Sequence, residues 1–599
     1  MPDFEIDNLT VLLLALLAGL AIYHRFLSSP NPLVHPLLLG KQSEVSSIRK
    51  SGETGVYRAW ATGQGTPLTV RPANTVKTVQ DLVNFPPEDP KDLDKRPEQR
   101  CILDIKAGSF GRLLTDEAFA EIVRLVPLGI ELLFPRASAA SVSSIVTLIP
   151  PSPVTSLPLL LLSLSAVPVR PLVILPSPRL LTSALTATSH PAAGVVVVFA
   201  DLLGEVLEQV WEDTGDKVGI LVIGDAGKLR ASLVEEARSK GLNVHWWEEV
   251  WEVAETEKAD ALKLPDSHFN DVHSYYYSET DDPEAPAVLK VTHLASNATA
   301  GIASLLSIFP ADKRPSNKLH DVVASAVRLD TPLGMTIALA SIWNGAEFRL
   351  IGNQEPVWDP EEVDHAEELT ALVDSEKDLP KPTVLFITPK HHRALVNKLA
   401  YSYQAHPYTS LAARHKAHGL RSGHVSRDGI WDKIIWSGMR ENVLGGVAGN
   451  KLRAVILVGD APPASALGAS HLLLSLPFTR LHPSIYSTGP VFASHFYDLQ
   501  SPGVNHILKD VDLWESPASG DKSHSGPPSS NLEVLLKGEG IDKAHDENGK
   551  WLEGRIYLRG PTVLERVDGG AKIEEGWVDI GEHAKAQTNG TFIVDGPAK

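Results

Sequence analysis

Apolar residues fall in short dense runs separated by proline, serine and charge. Val169–Leu175, Val195–Phe199 and Val218–Ile223 read as strands buried on both faces. Leu229 to Lys240 places apolar positions at helical spacing, with charges between them. Strand runs alternating with helical runs predict a parallel sheet in an α/β body. The theme returns at Val384–Ile387 and Ala454–Val458. Val154 to Leu175 is also apolar, but Pro158, Pro168, Arg170 and Pro171 interrupt it. It predicts a buried strand–helix–strand passage, not a membrane span. The last 70 residues change character. Leu532–Leu536, Arg555–Leu558 and Thr591–Val594 predict strands of a small β-rich module joined by glycine-rich turns.

One run is longer and uncharged. Leu9 to Tyr23, extended by Phe26 and Leu27, approaches the ~17 residues a membrane helix needs. Asp3, Glu5 and Asp7 precede it, which disfavours a signal peptide. Arg25, Lys41, Arg49 and Lys50 follow it. The expectation is an uncleaved single-pass transmembrane helix with the bulk of the chain in the cytosol. The endoplasmic reticulum is the first expected location, with the lipid droplet and outer mitochondrial membrane as alternatives. The sequon Asn297-Ala298-Thr299 would then escape glycosylation. The expected organisation is an anchor over 1–28, an α/β body over 29–510, a flexible loop over 511–530 and the β-rich subdomain over 531–599.

Composition narrows the function classes. The chain has 599 residues and a formal net charge of −18. A surface that acidic excludes general nucleic-acid binding. Cys101 is the only cysteine, which excludes an internal disulfide, a cysteine zinc site and an iron–sulfur cluster. Residues 86–100 read as a charged, proline-rich loop, and the acid-rich 359–368 as a solvated helix face. Trp246, Trp247 and Trp251 stand among acids and predict helix packing rather than base stacking.

Several motifs fail on their own terms. Ala107-Gly108-Ser109-Phe110-Gly111 lacks the first glycine of a nucleophile elbow. His391-His392, His406, His415, His418 and His424 have no metal-ligand spacing and read as surface histidines. No glycine fingerprint opens a helix after a strand, and no phosphate-loop motif of the G-x-x-x-x-G-K type occurs.

Three later stretches carry a stronger signal. The first runs from Ile430-Trp431-Asp432-Lys433 through Arg440-Glu441 and Leu444-Gly445-Gly446 to Gly459-Asp460-Ala461-Pro462. The second is Gly526-Pro527-Pro528, Asn531 to Val534, and Gly554 to Pro561. The third is Gly576-Trp577-Val578-Asp579-Ile580-Gly581-Glu582 with Phe592 to Asp595. In order and spacing they resemble the adenylate-forming superfamily, specifically the long-chain fatty acyl-CoA synthetases. The segment from His35 to Arg58 resembles that group's entry. The resemblance implies an acyl-CoA synthetase-like α/β body with mixed and parallel sheets flanked by helices. It also implies ATP, Mg²⁺ and CoA as reactants, and a fatty acid as substrate.

The family's working parts are then looked for one by one. Its glycine-rich phosphate loop matches Tyr275 to Pro286, which has no glycine but holds Glu279, Asp281, Asp282 and Glu284. Its Y-G-x-T-E motif is matched to Thr488 to Tyr497, without a Thr-Glu pair. Its adenine wall falls on Gly459, Asp460, Ala461 and Pro462, with Asp for one Gly. Its ribose-binding Asp falls on Gly581-Glu582, one methylene longer. Its hinge falls on Asp595 to Lys599, without the Arg, and the family's C-terminal subdomain would begin there. The resemblance thus implies a membrane-anchored, catalytically degenerate protein with no catalytic residue, no metal ligand and no cofactor. It would bind fatty acid or acyl-CoA, beside Thr331–Leu350 if the family's tunnel survives, or scaffold a lipid enzyme. The alternatives are an active fatty acid–CoA ligase with unusual nucleotide handling, or one completed by a partner, and a purely tethering protein.

Overall fold

Valine, isoleucine and leucine runs too apolar to leave in water become the inner strands of two parallel sheets. The computed structural model describes residues 7–23, 31–83, 100–102, 112–114, 116–152, 156–214, 217–224, 227–256, 262–278, 289–352, 381–405, 409–448, 451–499, 513–514, 522–539, 541, 552–567 and 576–597. In chain order the strands begin with β1 (Ser43–Val45), β2 (Tyr57–Ala59), β3 (Arg100–Ile102), β4 (Arg112–Leu114), β5 (Ser144–Leu148), β6 (Leu172–Ile174) and β7 (Ala193–Phe199). They continue with β8 (Gly219–Ile223), β9 (Val244–Trp246), β10 (Val272–Ser278), β11 (Leu289–Leu294), β12 (Val322–Ser325), β13 (Glu347–Leu350), β14 (Val384–Ile387) and β15 (Ala454–Val458). The rest are β16 (Phe478–His482), β17 (Phe492–Ala493), β18 (Glu533–Lys537), β19 (Leu552–Arg559), β20 (Glu565–Arg566), β21 (Val578–Ala586) and β22 (Phe592–Pro597).

The larger sheet has the order β20-β11-β10-β6-β5-β7-β8-β9. It is parallel from β10 to β9, and β11 and β20 add an antiparallel flank. The second sheet, β13-β12-β14-β15-β16-β17, is parallel except for β17 at its edge. The third, β1-β2-β18-β19-β21-β22, is antiparallel. The β-rich module therefore also takes in β1 and β2 from the start of the chain. It lends β20 to the larger sheet in return. β3 and β4 form a separate pair.

Helices fill the space between sheets. Ser156–Leu164 and Pro332–Trp343 are buried at every position. An all-round apolar helix is stable only between two walls. Thr331 caps the second through its Oγ1 to Gly334 N, and Pro332 stands at the first turn, where its missing N–H costs nothing. Helix Trp247–Ala254 packs on helix Asp116–Leu133, and Trp247 meets Trp251 edge-on at 6.2 Å. The tryptophan-rich segment is thus packing, as its pattern predicts.

The structure corrects the membrane expectation and the reading of the paired histidines. Helix Asn8–Ile22 has 15 residues, a rise of about 22 Å against a hydrocarbon core of ~30 Å. Asp7 caps its start through Thr10 N at 2.8 Å. No helix among the described residues is long and apolar enough to cross a membrane. The single-pass anchor, and the membrane partner and organelle placement drawn from it, are therefore withdrawn. His391 and His392 are not surface histidines but lie buried. They face inward from helix Pro389–Ala405 together with Leu395, Val396 and Leu399. The region read as a loop from 511 to 530 is packed from Ser523 onward, with Ser523, His524, Ser525 and Ser529 buried. Residues 86–99, the elbow-like stretch through Gly111, the acids of 359–368, and His406 lie outside the described residues.

Candidate functional site

Open parallel sheets bind ligands beyond the carboxyl ends of their strands. The second sheet places β15 and β16 side by side in parallel, with Val458 paired to Leu481. Beyond β15 the chain turns at Gly459, whose φ of +133° is closed to most residues. Gly459 N donates to Leu481 O at 2.9 Å. A Cβ on Gly459 would stand 2.9 Å from the Pro389 ring, so the turn is also tight against the neighbouring strand's exit. Asp460 is exposed, and Pro462 O accepts from Ser523 N at 3.0 Å and Ser523 Oγ at 2.7 Å. Helix Ala464–Leu474 starts immediately afterwards.

The second half of the site comes from the antiparallel sheet. Gly581 sits in β21 with φ +73°, and its N–H is held by Asp579 Oδ1 at 2.9 Å. Glu582 follows. Its Oε2 accepts from His482 Nε2 at 2.5 Å, across 100 residues of sequence. The His482 side chain is 7% exposed and that of Glu582 22%. His482 Nδ1 is buried with no hydrogen-bond partner among the described residues. Behind the pair, rings join the two sheets. The His482 ring lies 6.1 Å from Phe492, which stacks on Phe592 at 4.6 Å, and Tyr57 meets Phe592 edge-on at 5.0 Å.

Two residues deeper, Arg480 is fully buried. Its Nη2 lies 3.3 Å from Asp498 Oδ2, and His524 Nε2 lies 3.2 Å from the same oxygen without hydrogen-bond alignment. Burial pushes the His524 imidazole below the ordinary histidine range, and the Arg480 charge adds to that. This group fastens the segment around Ser523 beneath Pro462.

The structure brings the turn Gly459–Pro462 and the pair Gly581–Glu582 to one edge, through Gly459 N to Leu481 O and His482 to Glu582. Of the stretch Thr488 to Tyr497, Phe492 and Ala493 form β17 and pair with His482 and Leu481 beside that edge, whereas Thr488 Oγ1 donates away from it to Asn297 O at 2.6 Å. The residue that faces Glu582 is His482, which sequence reasoning missed. Its signal was available. It ends the run Phe478–Leu481 beside β15, and strand ends of that kind carry sites. Arg480 interrupts the run and hid the strand.

Tyr275, Tyr276 and Tyr277 lie buried in β10. The pairing Ser278↔Leu289 makes 279–288 the connection from β10 to antiparallel β11. Glu279, Asp281, Asp282 and Glu284 belong to that connection, outside the described residues. Among the described residues no group of three or more His, Cys, Asp or Glu side chains is arranged to hold a metal. Asp595, assigned to the hinge, is a strand residue of β22 with Lys585 at 3.9 Å.

With the geometry in place, comparison with known proteins is informative about the fold. No family model matches the chain, and no curated relative matches it. Solved structures do. The anthranilate CoA ligase AuaEII in complex with anthranoyl-AMP is similar over 88% of this chain and 79% of its own, at TM-score 0.55 and 13% identity. A long-chain-fatty-acid-CoA ligase (FadD1) from Archaeoglobus fulgidus is similar over 90% and 86%, at 0.54 and 13%. The N-terminal domain of FACL13 from Mycobacterium tuberculosis is covered over 100% of its length and covers 87% of this chain, at 0.52 and 11%. The chain shares the fold of these proteins, two of which are CoA ligases by name, the kind of enzyme that the sequence motifs resemble.

Proposed function

We propose that the chain is an acyl-CoA synthetase-like protein that binds an acyl or aryl ligand, such as a fatty acid or its CoA thioester, without running the ATP-dependent reaction. The observation that carries this reading is the connection between β10 and β11. It leaves the carboxyl end of β10, a parallel strand of the larger sheet, where ligands of open α/β sheets bind. It holds four carboxylates and two prolines and no glycine. Prolines remove N–H donors, and glycines are what let backbone N–H groups close on phosphate. One carboxylate 4 Å from one phosphate charge costs about 4 kcal/mol at an effective dielectric of 20. Four of them oppose triphosphate binding unless a cation intervenes.

In this reading Gly459 to Pro462 and Gly581-Glu582 are the remains of an adenine and ribose site. No catalytic residue, metal or cofactor is assigned. The body spans 29–510, apart from β1 and β2, which join the β-rich subdomain of 531–599, with 511–530 between them. Scaffolding of a lipid enzyme is compatible with the same fold.

A second reading is an active ATP-dependent fatty acid–CoA ligase that uses ATP, Mg²⁺ and CoA. The preserved turn at Gly459 and the carboxylate at Glu582 favour it. One experiment separates the two. The purified chain is incubated with ATP, Mg²⁺, CoA and acids from benzoate to palmitate, and AMP release is followed together with thermal melting. We expect no acid-dependent AMP release and no shift of melting with ATP, but a shift with an acyl or aryl ligand. Acid-dependent AMP release would overturn the first reading in favour of the second.

A further inference from the structure

We propose that His482 and Glu582 form an internal latch, in which the imidazole occupies the carboxylate that would otherwise receive a ligand's vicinal hydroxyls. The inference rests on the reading of Glu582 as the ribose position. It adds what keeps that position silent. The two residues belong to different sheets, β16 and β21, so their contact ties the β-rich module to the parallel body. The bond is charge-assisted and short, and such bonds are about twice as strong as neutral ones. It takes one of the carboxylate's roughly four lone-pair sites and pins the group toward β16, so a vicinal diol would have to compete with His482 for Oε2 and for the carboxylate's orientation.

The surroundings fit a latch rather than a filled core. The backbone beside Glu582 opens outward, and a Cβ placed on Gly581 would meet nothing within 4 Å. Asp460, on the neighbouring turn, is exposed. Room therefore exists next to a carboxylate that is engaged from the protein side. His482 is steadied by Phe492 and by one hydrogen bond, its Nδ1 having no hydrogen-bond partner among the described residues. An imidazole held by a single polar contact can be replaced by a competing donor pair.

The test is equilibrium dialysis of the full chain with radiolabelled AMP, which carries the diol without the triphosphate. Wild-type protein should show no saturable binding at millimolar AMP. His482→Ala should bind AMP at least roughly tenfold more tightly, the factor expected when a charged hydrogen bond no longer has to be broken. The double variant His482→Ala/Glu582→Ala should lose that gain. Should His482→Ala not fold, His482→Phe removes the donor while keeping a ring against Phe492, and carries the same expectation. If neither single variant binds AMP above wild type, the latch is overturned while the non-catalytic reading stands. If wild-type protein binds AMP as tightly as the variants, the latch is overturned and the closed nucleotide site with it.

Discussion

At the scale of single residues, motif positions divide into those that hold the fold and those that face a site. Asp432, at the centre of the Trp-Asp-Lys signature, is buried and bonds Lys416 through one oxygen and Arg440 Nη1 through the other at 3.1 Å. Arg440 also reaches Ser475 Oγ at 2.9 Å, where helix Ala464–Leu474 ends. The signature therefore marks a structural ion network. Asp432→Ala should leave two buried cations without a carboxylate and cost about 3–5 kcal/mol, the usual loss when one partner of a buried pair is removed. Urea denaturation of both proteins measures it, and a loss below about 1 kcal/mol would show that water or neighbouring carbonyls replace the carboxylate. Asn297 makes the same point differently. Its Nδ2 donates to Pro561 O at 2.8 Å and its Oδ1 accepts from Leu294 N at 2.9 Å. The sequon side chain is consumed in joining a helix start to the turn before β20.

At the scale of elements, what the sequence made legible is what burial makes redundant. Val384–Ile387 and Ala454–Val458 match their predicted spans because four or five apolar residues in a row have no other stable place. Val169–Leu175 shortens to Leu172–Ile174, since Pro168 and Pro171 hold a turn closed by Arg170 N to Val167 O at 2.8 Å. His482 stayed hidden because a site residue needs no periodic neighbours. His391 and His392 misled because exposed Lys390 and Arg393 flank them, and linear polarity masks which face a helix turns inward. The apolar start of the chain misled in the opposite sense, by composition without sufficient length. Helix packing supplies a sharp test. A Cβ on Gly129 would lie 2.2 Å from Val250 O, a backbone atom of the facing helix that cannot swing away. Gly129→Ala should therefore destabilise by about 1–3 kcal/mol through overpacking, despite alanine's better helix propensity. Thermal denaturation of the two proteins decides the sign, and a stabilised variant would mean the two helices separate at no cost.

At the scale of the whole molecule, three buried histidines, one in the larger sheet and two side by side against Phe478, make stability depend on pH. Burial holds His273 down to about 4, and His392 and His471 to about 3, all from an ordinary 6.5. Their surroundings suit the neutral ring. His273 Nε2 lies 2.8 Å from Ser163 O, His392 Nε2 lies 2.6 Å from Ser470 Oγ, and both ring nitrogens of His471 lack hydrogen-bond partners among the described residues. In the unfolded chain each binds a proton below pH 6.5, while in the folded protein each stays neutral until pH falls by two units or more. The unfolded state therefore carries more protons across that window, and stability rises with pH there. The contribution is complete above pH 6.5 and is lost as pH falls through 6 and 5. Each histidine can supply a slope of up to about 1.4 kcal/mol per pH unit, so the three together approach about 4. Urea midpoints measured from pH 7 to pH 5 should fall steeply, ahead of the range in which ordinary carboxylates titrate. His471→Gln should remove roughly one third of that slope whatever it does to stability at pH 7. An unchanged slope in that variant would mean His471 takes up its proton in the folded protein, and that the interior around Arg480 and Asp498 is open to water.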